Sequence, residues 1–157
     1  MPSQGRTDAA SRLLAASPDA VFAALVDPGA LMAWLPPDGM SGRALLFEPR
    51  EGGRYRIELR YQDAAAPGAT GKTTARTDVT SGRFLALEPG KRVVQSVEFE
   101  SGDPAFAGEM IMTWSLDPAP GGTRVTVTAA NVPAGISAED HAAGLASSLE
   151  NLARFLA

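Results

Sequence analysis

The chain has 157 residues, 45% of them hydrophobic and 20% charged, the balance of one globular domain rather than a disordered tail. Fourteen Lys and Arg against 18 Asp and Glu leave a formal charge of −4, which makes a poor general binder of phosphate backbones. Cysteine is absent and His141 is the sole histidine, so disulfides, thiol catalysis, zinc-thiolate sites and multi-histidine metal sites are excluded.

Residues 1–8 read as a flexible lead-in, and residues 9–157 as a single domain. The first residues lack the apolar run of a secretory signal. No segment approaches the roughly 18 uninterrupted apolar residues of a membrane span. The expectation is a cytoplasmic protein that neither inserts into a membrane nor binds nucleic acid.

Residues 9–16 form a weak first strand. Ser17-Pro18-Asp19 then opens a helix: Ser17 caps, Pro18 suits the first helical position, and Asp19 faces the positive helix end. Val21, Phe22, Leu25 and Val26 make its apolar stripe. Asp27-Pro28 repeats the signal for a second short helix, which stops at Trp34 before Pro36-Pro37.

Strand texture follows. Residues 44–49 are one strand, and Gly52-Gly53 a turn. Residues 54–62 alternate, with Tyr55, Ile57, Leu59 and Tyr61 on one face and Arg56, Glu58 and Arg60 on the other. Residues 64–71 read as a loop that would suit either a lid or an idle hairpin tip. Residues 73–87 form a long strand bent near Gly82. Glu88-Pro89-Gly90-Lys91 turns into a strand over 92–100, with Val93, Gln95, Val97 and Phe99 on one face. Residues 101–108 are a loop. Residues 109–117 carry Met110, Met112, Trp114 and Leu116 on one face, and 123–130 complete the strands.

Ser137, followed by Glu139 and Asp140, starts the last and longest helix. Its stripe runs through Leu145, Leu149, Leu152 and Leu156. The order is therefore a strand, two short helices, about six strands and one long helix. Sequential strands with hairpin turns make an antiparallel sheet, and only the terminal helix is long enough to cover it. A curved sheet gripping that helix leaves a cavity between them.

Four segments in this order resemble a known family. They are Ala16-Ser17-Pro18-Asp19-Ala20-Val21-Phe22; Asp27-Pro28 with Leu31 and Trp34; the hairpin from Gly82 to Val94; and Gly144-Leu145-Ala146-Ser147-Ser148-Leu149-Glu150-Asn151-Leu152. The chain resembles the SRPBCC or START-like superfamily, in the branch of the activator of heat-shock-protein-90 ATPase homologues. The resemblance implies an α+β helix-grip fold, six to seven antiparallel strands wrapped round a long C-terminal helix, with a deep apolar pocket. Where many relatives carry Trp after the helix glycine this chain has Leu145, which implies a roomier pocket. The polar N-terminal extension of the eukaryotic activators has no counterpart, so chaperone activation is not expected.

The candidate ligand-binding residues are Trp34, Tyr55, Ile57, Tyr61, Gln95, Val97, Met112, Trp114, Leu145, Ser148, Leu149 and Leu152. Tyr55 and Tyr61 either pack in the core or aim a hydroxyl into a cavity, since a buried phenol needs a partner. Trp34 beside the Pro-Pro break suits a pocket wall, and Trp114 a sheet floor. Gln95, an amide on an apolar face, is either paired or pointed at a ligand. Met110 and Met112 fill irregular space. Ser148 adds a hydroxyl. His141 is either a general base or a solvated first-turn residue, and its place off the apolar stripe favours the second. Glu58, Glu98, Glu100 and Glu109 fall mostly on the polar face, as surface partners for Arg56 and Arg60.

No nucleophile elbow or dinucleotide fingerprint occurs, and Gly68-Ala69-Thr70-Gly71-Lys72-Thr73 lacks the spacing of a phosphate loop. No catalytic residue, metal or cofactor is assigned. The leading expectation is a non-enzymatic binder of a small apolar or amphipathic molecule, as a monomer or homodimer. The alternatives are a cyclase- or aromatase-like enzyme and a stress-response or co-chaperone-type interaction module. The last would show a large exposed apolar patch.

Overall fold

The computed structural model describes residues 6–37, 39–61 and 77–157. Seven strands form one antiparallel sheet: β1 (Arg6–Leu14), β2 (Met40–Phe47), β3 (Arg54–Tyr61), β4 (Thr77–Glu88), β5 (Arg92–Phe99), β6 (Met110–Ala119) and β7 (Gly122–Val132). Their order across the sheet is β1-β7-β6-β5-β4-β3-β2. Two short helices, α1 (Pro18–Val26) and α2 (Pro28–Trp34), link the two edge strands. The long helix α3 (Ala138–Leu156) closes the chain and makes its nearest approach to the sheet at β1. This is the helix-grip α+β fold.

Local chemistry starts each helix where the sequence indicates. Ser17 accepts from the amide of Ala20, Asp27 from that of Ala30, and Ser137 from that of Asp140. Pro28 has a second effect. As the residue four after Ala24 it has no N–H to offer, so the Ala24 carbonyl lacks its helical donor. The Trp34 indole fills that position, Nε1–H donating to the Ala24 oxygen at 3.0 Å. One hydrogen bond thus fixes both the angle between α1 and α2 and the orientation of a buried tryptophan.

The strands carry three irregularities that shape the sheet. Register slips by one residue between Ala44 and Leu46 on β2, and between Phe84 and Ala86 on β4. On β7 an extra residue falls between the partners of Arg6 and Asp8, where Asn131 adopts φ 60°. Such bulges increase twist and curl a sheet. Gly82, just before the β4 bulge, is required by close approach. A Cβ there would lie 1.9 Å from the Ser96 carbonyl and 2.9 Å from the Tyr55 hydroxyl.

Several boundaries differ from the sequence expectation. β1 starts at Arg6, so Arg6, Thr7 and Asp8 belong to the sheet and not to the lead-in expected over 1–8. β2 begins at Met40 rather than at residue 44. β6 and β7 run on through Ala119 and Gly122, which pair across a two-residue turn. The loop over 101–108 contains a 3₁₀ turn, Pro104–Phe106, whose Ala105 carbonyl accepts from the Gly135 amide at 2.7 Å. The loop expected over 64–71 lies outside the described residues, as do the first four residues of the strand expected over 73–87.

The core lies on the concave face, where Val93, Trp114, Leu116, Val125, Val127 and Ala129 meet Val21 and Leu25 of α1 and Leu149 and Leu152 of α3. Among the described residues no buried side-chain nitrogen or oxygen lacks a hydrogen-bond partner. Thr123 donates to the Ala16 carbonyl, and Ser96 accepts from the Arg83 amide. The convex face is charged, with Arg56 paired to Glu100 at 2.7 Å and Arg43 to Glu58 at 3.3 Å. Such exposed pairs contribute about 0–1 kcal/mol each.

Candidate functional site

A cavity of about 310 Å³ lies between the N-terminal half of α3 and the middle of the sheet. α3 presents His141, Gly144, Leu145 and Ser148 to it, positions i, i+3, i+4 and i+7 of one helical face. The opposite wall comes from alternate residues of four strands: Tyr55, Ile57 and Leu59 of β3, Asp78, Thr80 and Phe84 of β4, Gln95, Val97 and Phe99 of β5, and Met110, Met112 and Trp114 of β6. Leu25, Leu31, Trp34 and Leu35 close one end. Gly144 leaves open space: a Cβ built on it meets nothing within 4 Å.

The lining is aromatic as well as apolar. Trp34 and Trp114 meet edge to face at 5.8 Å, and Phe47 and Phe84 likewise at 5.4 Å. Interlocked rings of this kind hold the wall open as a preformed surface.

Of the expected ligand-binding residues, Trp34, Tyr55, Ile57, Gln95, Val97, Met112, Trp114, Leu145 and Ser148 meet around this cavity. Three do not. Leu149 and Leu152 are sealed in the core beneath α3, because the helix turns its later leucines away from the opening. Tyr61 stands at the end of β3 opposite Met40, outside the lining. Its phenol is pushed above its ordinary value by burial and then by the nearby Asp78 carboxylate.

Tyr55 is committed to the protein. Its hydroxyl donates to the Ser96 carbonyl across the gap that Gly82 leaves. Burial raises the phenol well above its ordinary value, against a smaller opposing pull from a hydrogen bond with Gln95. It therefore stays neutral, held by the Ser96 carbonyl.

His141 departs from the solvated reading. Its side chain is 13% exposed, and its Nδ1 lies 2.7 Å from Asp8 Oδ2. Asp8 points inward from β1, and Arg6 grips the same carboxylate through Nε and Nη2 at 2.8 and 2.9 Å. Arg6 also donates to the Ile136 carbonyl at 2.6 Å, tying β1 to the segment that leads into α3. The Arg6 hydrogen bond, and then that from His141, hold the Asp8 carboxyl below its ordinary range against the opposing effect of burial. An ionised Asp8 can only accept, so His141 Nδ1–H is the donor and the imidazole tautomer is set. Counting back in twos from the buried Leu14 through Ala10 would have placed Asp8 and Arg6 on the inner face. Nothing local signals the pairing of Asp8 with a residue 133 positions away.

Residues 15–157 match the family model described as Activator of Hsp90 ATPase homolog 1-like protein. The chain belongs to this family. The Activator of Hsp90 ATPase homolog 1-like chain is also similar to several solved bacterial structures. Protein CV1439 from Chromobacterium violaceum is 31% identical, covering 96% of each chain at a TM-score of 0.84. A protein from Rhodobacter sphaeroides is 27% identical over 99% of this chain and 95% of its own, at 0.75. A protein from Aeromonas hydrophila described as AHSA1-like shares the fold at 19% identity and a TM-score of 0.70, over 96% of this chain and 91% of its own. No curated protein matches the chain. Among the described residues no helix is long and apolar enough to cross a membrane.

Proposed function

We propose that the protein binds a small apolar or amphipathic molecule in the cavity between α3 and the sheet, acting as a binding protein in the bacterial cytoplasm. The observation that carries this reading is the cavity itself: about 310 Å³, with aromatic walls and a few convergent polar groups. An engineered apolar cavity of about 150 Å³ holds one benzene ring, so the space here suits a guest of about two fused rings. Burying such a guest stabilises the complex by about 25 cal/mol per Å² of apolar area.

The interaction-module reading has less support. Leu13, Leu46, Leu85 and Phe155 are the large hydrophobics exposed among the described residues. They sit on β1, β2, β4 and α3, and β1 and β2 are opposite edges of the sheet.

Native mass spectrometry of the protein taken gently from its producing cells, beside a denatured control, tests the proposal. A recurring extra mass of a few hundred daltons, lost on denaturation, is expected. A clean apo mass, with no thermal shift across a panel of two-ring aromatics, would contradict it.

A further inference from the structure

Glycine weakens a helix interior relative to alanine, because it gives up more chain freedom on folding. α3 nevertheless carries one, Gly144. Two structural needs commonly call for glycine, and neither applies. Gly144 is not among the residues with positive φ. No neighbour crowds it, since an added Cβ would meet nothing within 4 Å. At Gly122, by contrast, the same atom would lie 1.9 Å from the Leu14 carbonyl oxygen. The fold would accept alanine at 144 and be firmer for it.

What Gly144 does shape is the rim of the cavity. Of the described lining residues, Pro37 and Gly144 are the exposed ones, so the cavity reaches solvent beside them. Pro37 keeps its ring in that rim, whereas Gly144 leaves bare backbone. His141 and Ser148 flank Gly144 on the same helical face, and the buried Leu145 lies next to it. His141 is engaged by Asp8, and Ser148 is small. The result is a notch in α3, one side chain wide, leading from the aromatic interior to solvent.

The polar groups of the wall do not single out a head group. Asp78 and His141 are already engaged within the protein. Thr80, Gln95 and Ser148 are neutral groups that can each donate or accept, and Gln95 already shares a hydrogen bond with Tyr55. Such a wall accommodates an ether, hydroxyl or carbonyl oxygen without demanding one, which leaves shape as the discriminator. A volume of about 310 Å³ is filled by about two rings. Anything longer must leave the cavity, and the notch is where there is room.

We propose that Gly144 is the specificity-determining residue of this cavity: it lets a linear substituent on a neutral aromatic guest run out across α3, so that the protein takes elongated as well as compact aromatics. The inference rests on the binding reading above and adds to it the shape class of the guest.

The test titrates the intact protein with 2-methoxynaphthalene and 2-butoxynaphthalene, read by the fluorescence of the naphthalene ring. The wild type should bind the butoxy ether at least as tightly as the methoxy ether. Gly144→Leu fills the notch, and the butoxy-to-methoxy affinity ratio should fall at least tenfold. Gly144→Ala should melt about 1–4 °C above wild type, a rise that a glycine required by the fold would not give. A ratio unchanged in Gly144→Leu, a wild type that binds only the methoxy ether, or a lower melting temperature in Gly144→Ala overturns the inference and leaves the binding reading intact. If neither ether binds the folded wild type, both fall together. Should Gly144→Leu not fold, the wild-type complex still decides. With a soluble paramagnetic agent, the terminal methyl of the bound butoxy ether should relax as it does free in solution while the ring protons are protected. Equal protection of methyl and ring would overturn the inference.

Discussion

Leu145 and Leu149 lie one helical turn apart on α3 and are both buried, yet the structure assigns them different surroundings. Leu149 is enclosed by the core on all sides. Leu145 packs against the core on one side and faces the cavity on the other. Truncating a buried leucine costs the transfer free energy of its methyl groups plus the dispersion energy of the neighbours left lining a hole. Leu149→Ala forfeits packing in every direction and should cost about 3–5 kcal/mol. Leu145→Ala enlarges a space that already exists and should cost about 2–3 kcal/mol. For a domain of this size, at about 2–4 °C per kcal/mol, the melting temperature should fall by about 6–20 °C and about 4–12 °C respectively. Urea unfolding with unchanged m-values gives the free energies directly. Guest binding separates the two more sharply. 2-Methoxynaphthalene affinity should change in Leu145→Ala and stay within about twofold of wild type in Leu149→Ala. Equal costs, or a guest that senses Leu149 and not Leu145, would refute the placement of the cavity along α3.

Three further outcomes follow from the same geometry. Trp34→Phe removes the donor that replaces the missing Pro28 N–H and leaves the Ala24 carbonyl unpaired; chemical denaturation should show a loss of about 1–3 kcal/mol. Gly82→Ala places a Cβ 1.9 Å from the Ser96 carbonyl, so the variant should lose well over about 3 kcal/mol, and a melting temperature near wild type would contradict the close approach. Asp8 is held below its ordinary value by Arg6 and then His141, so its contribution is present above the unfolded carboxylate value near pH 4 and is lost as pH falls through the lower folded value. The acid limb of a stability–pH profile should therefore flatten in Asp8→Asn, and an unchanged limb would show that the carboxylate makes no such contribution.

Much of the fold is legible in local signals, because those signals are local in origin. Ser17, Asp27 and Ser137 announce helices through side chains that satisfy amides three residues on. The alternation of Tyr55, Ile57 and Leu59 against Arg54, Arg56 and Arg60 is the pleat itself. The site is legible as a face but not as a boundary. An inward residue meets core or cavity according to how far α3 stands off the sheet, and no single strand encodes that distance. Leu145 and Leu149 accordingly share one stripe in sequence and part company in space. Phe47, Phe84 and Phe99 join the wall because bulged strands curl, and the β4 bulge follows Gly82 by only a few residues. The Arg6–Asp8–His141 cluster is the clearest case. Its members lie at opposite ends of the chain, and only the pairing of β1 with β7 beneath α3 brings them together.

The central claim is that a small aromatic guest enters between α3 and the sheet. The most direct measurement is a set of intermolecular NOEs from protonated 2-methoxynaphthalene to a protein carrying ¹³C-methyl-labelled Met and Leu. NOEs to the methyls of Met112 and Leu145, with none to Leu149 or Leu152, are the predicted result. NOEs confined to the exposed methyls of Leu13, Leu46 or Leu85, or none at saturating guest, would contradict the account.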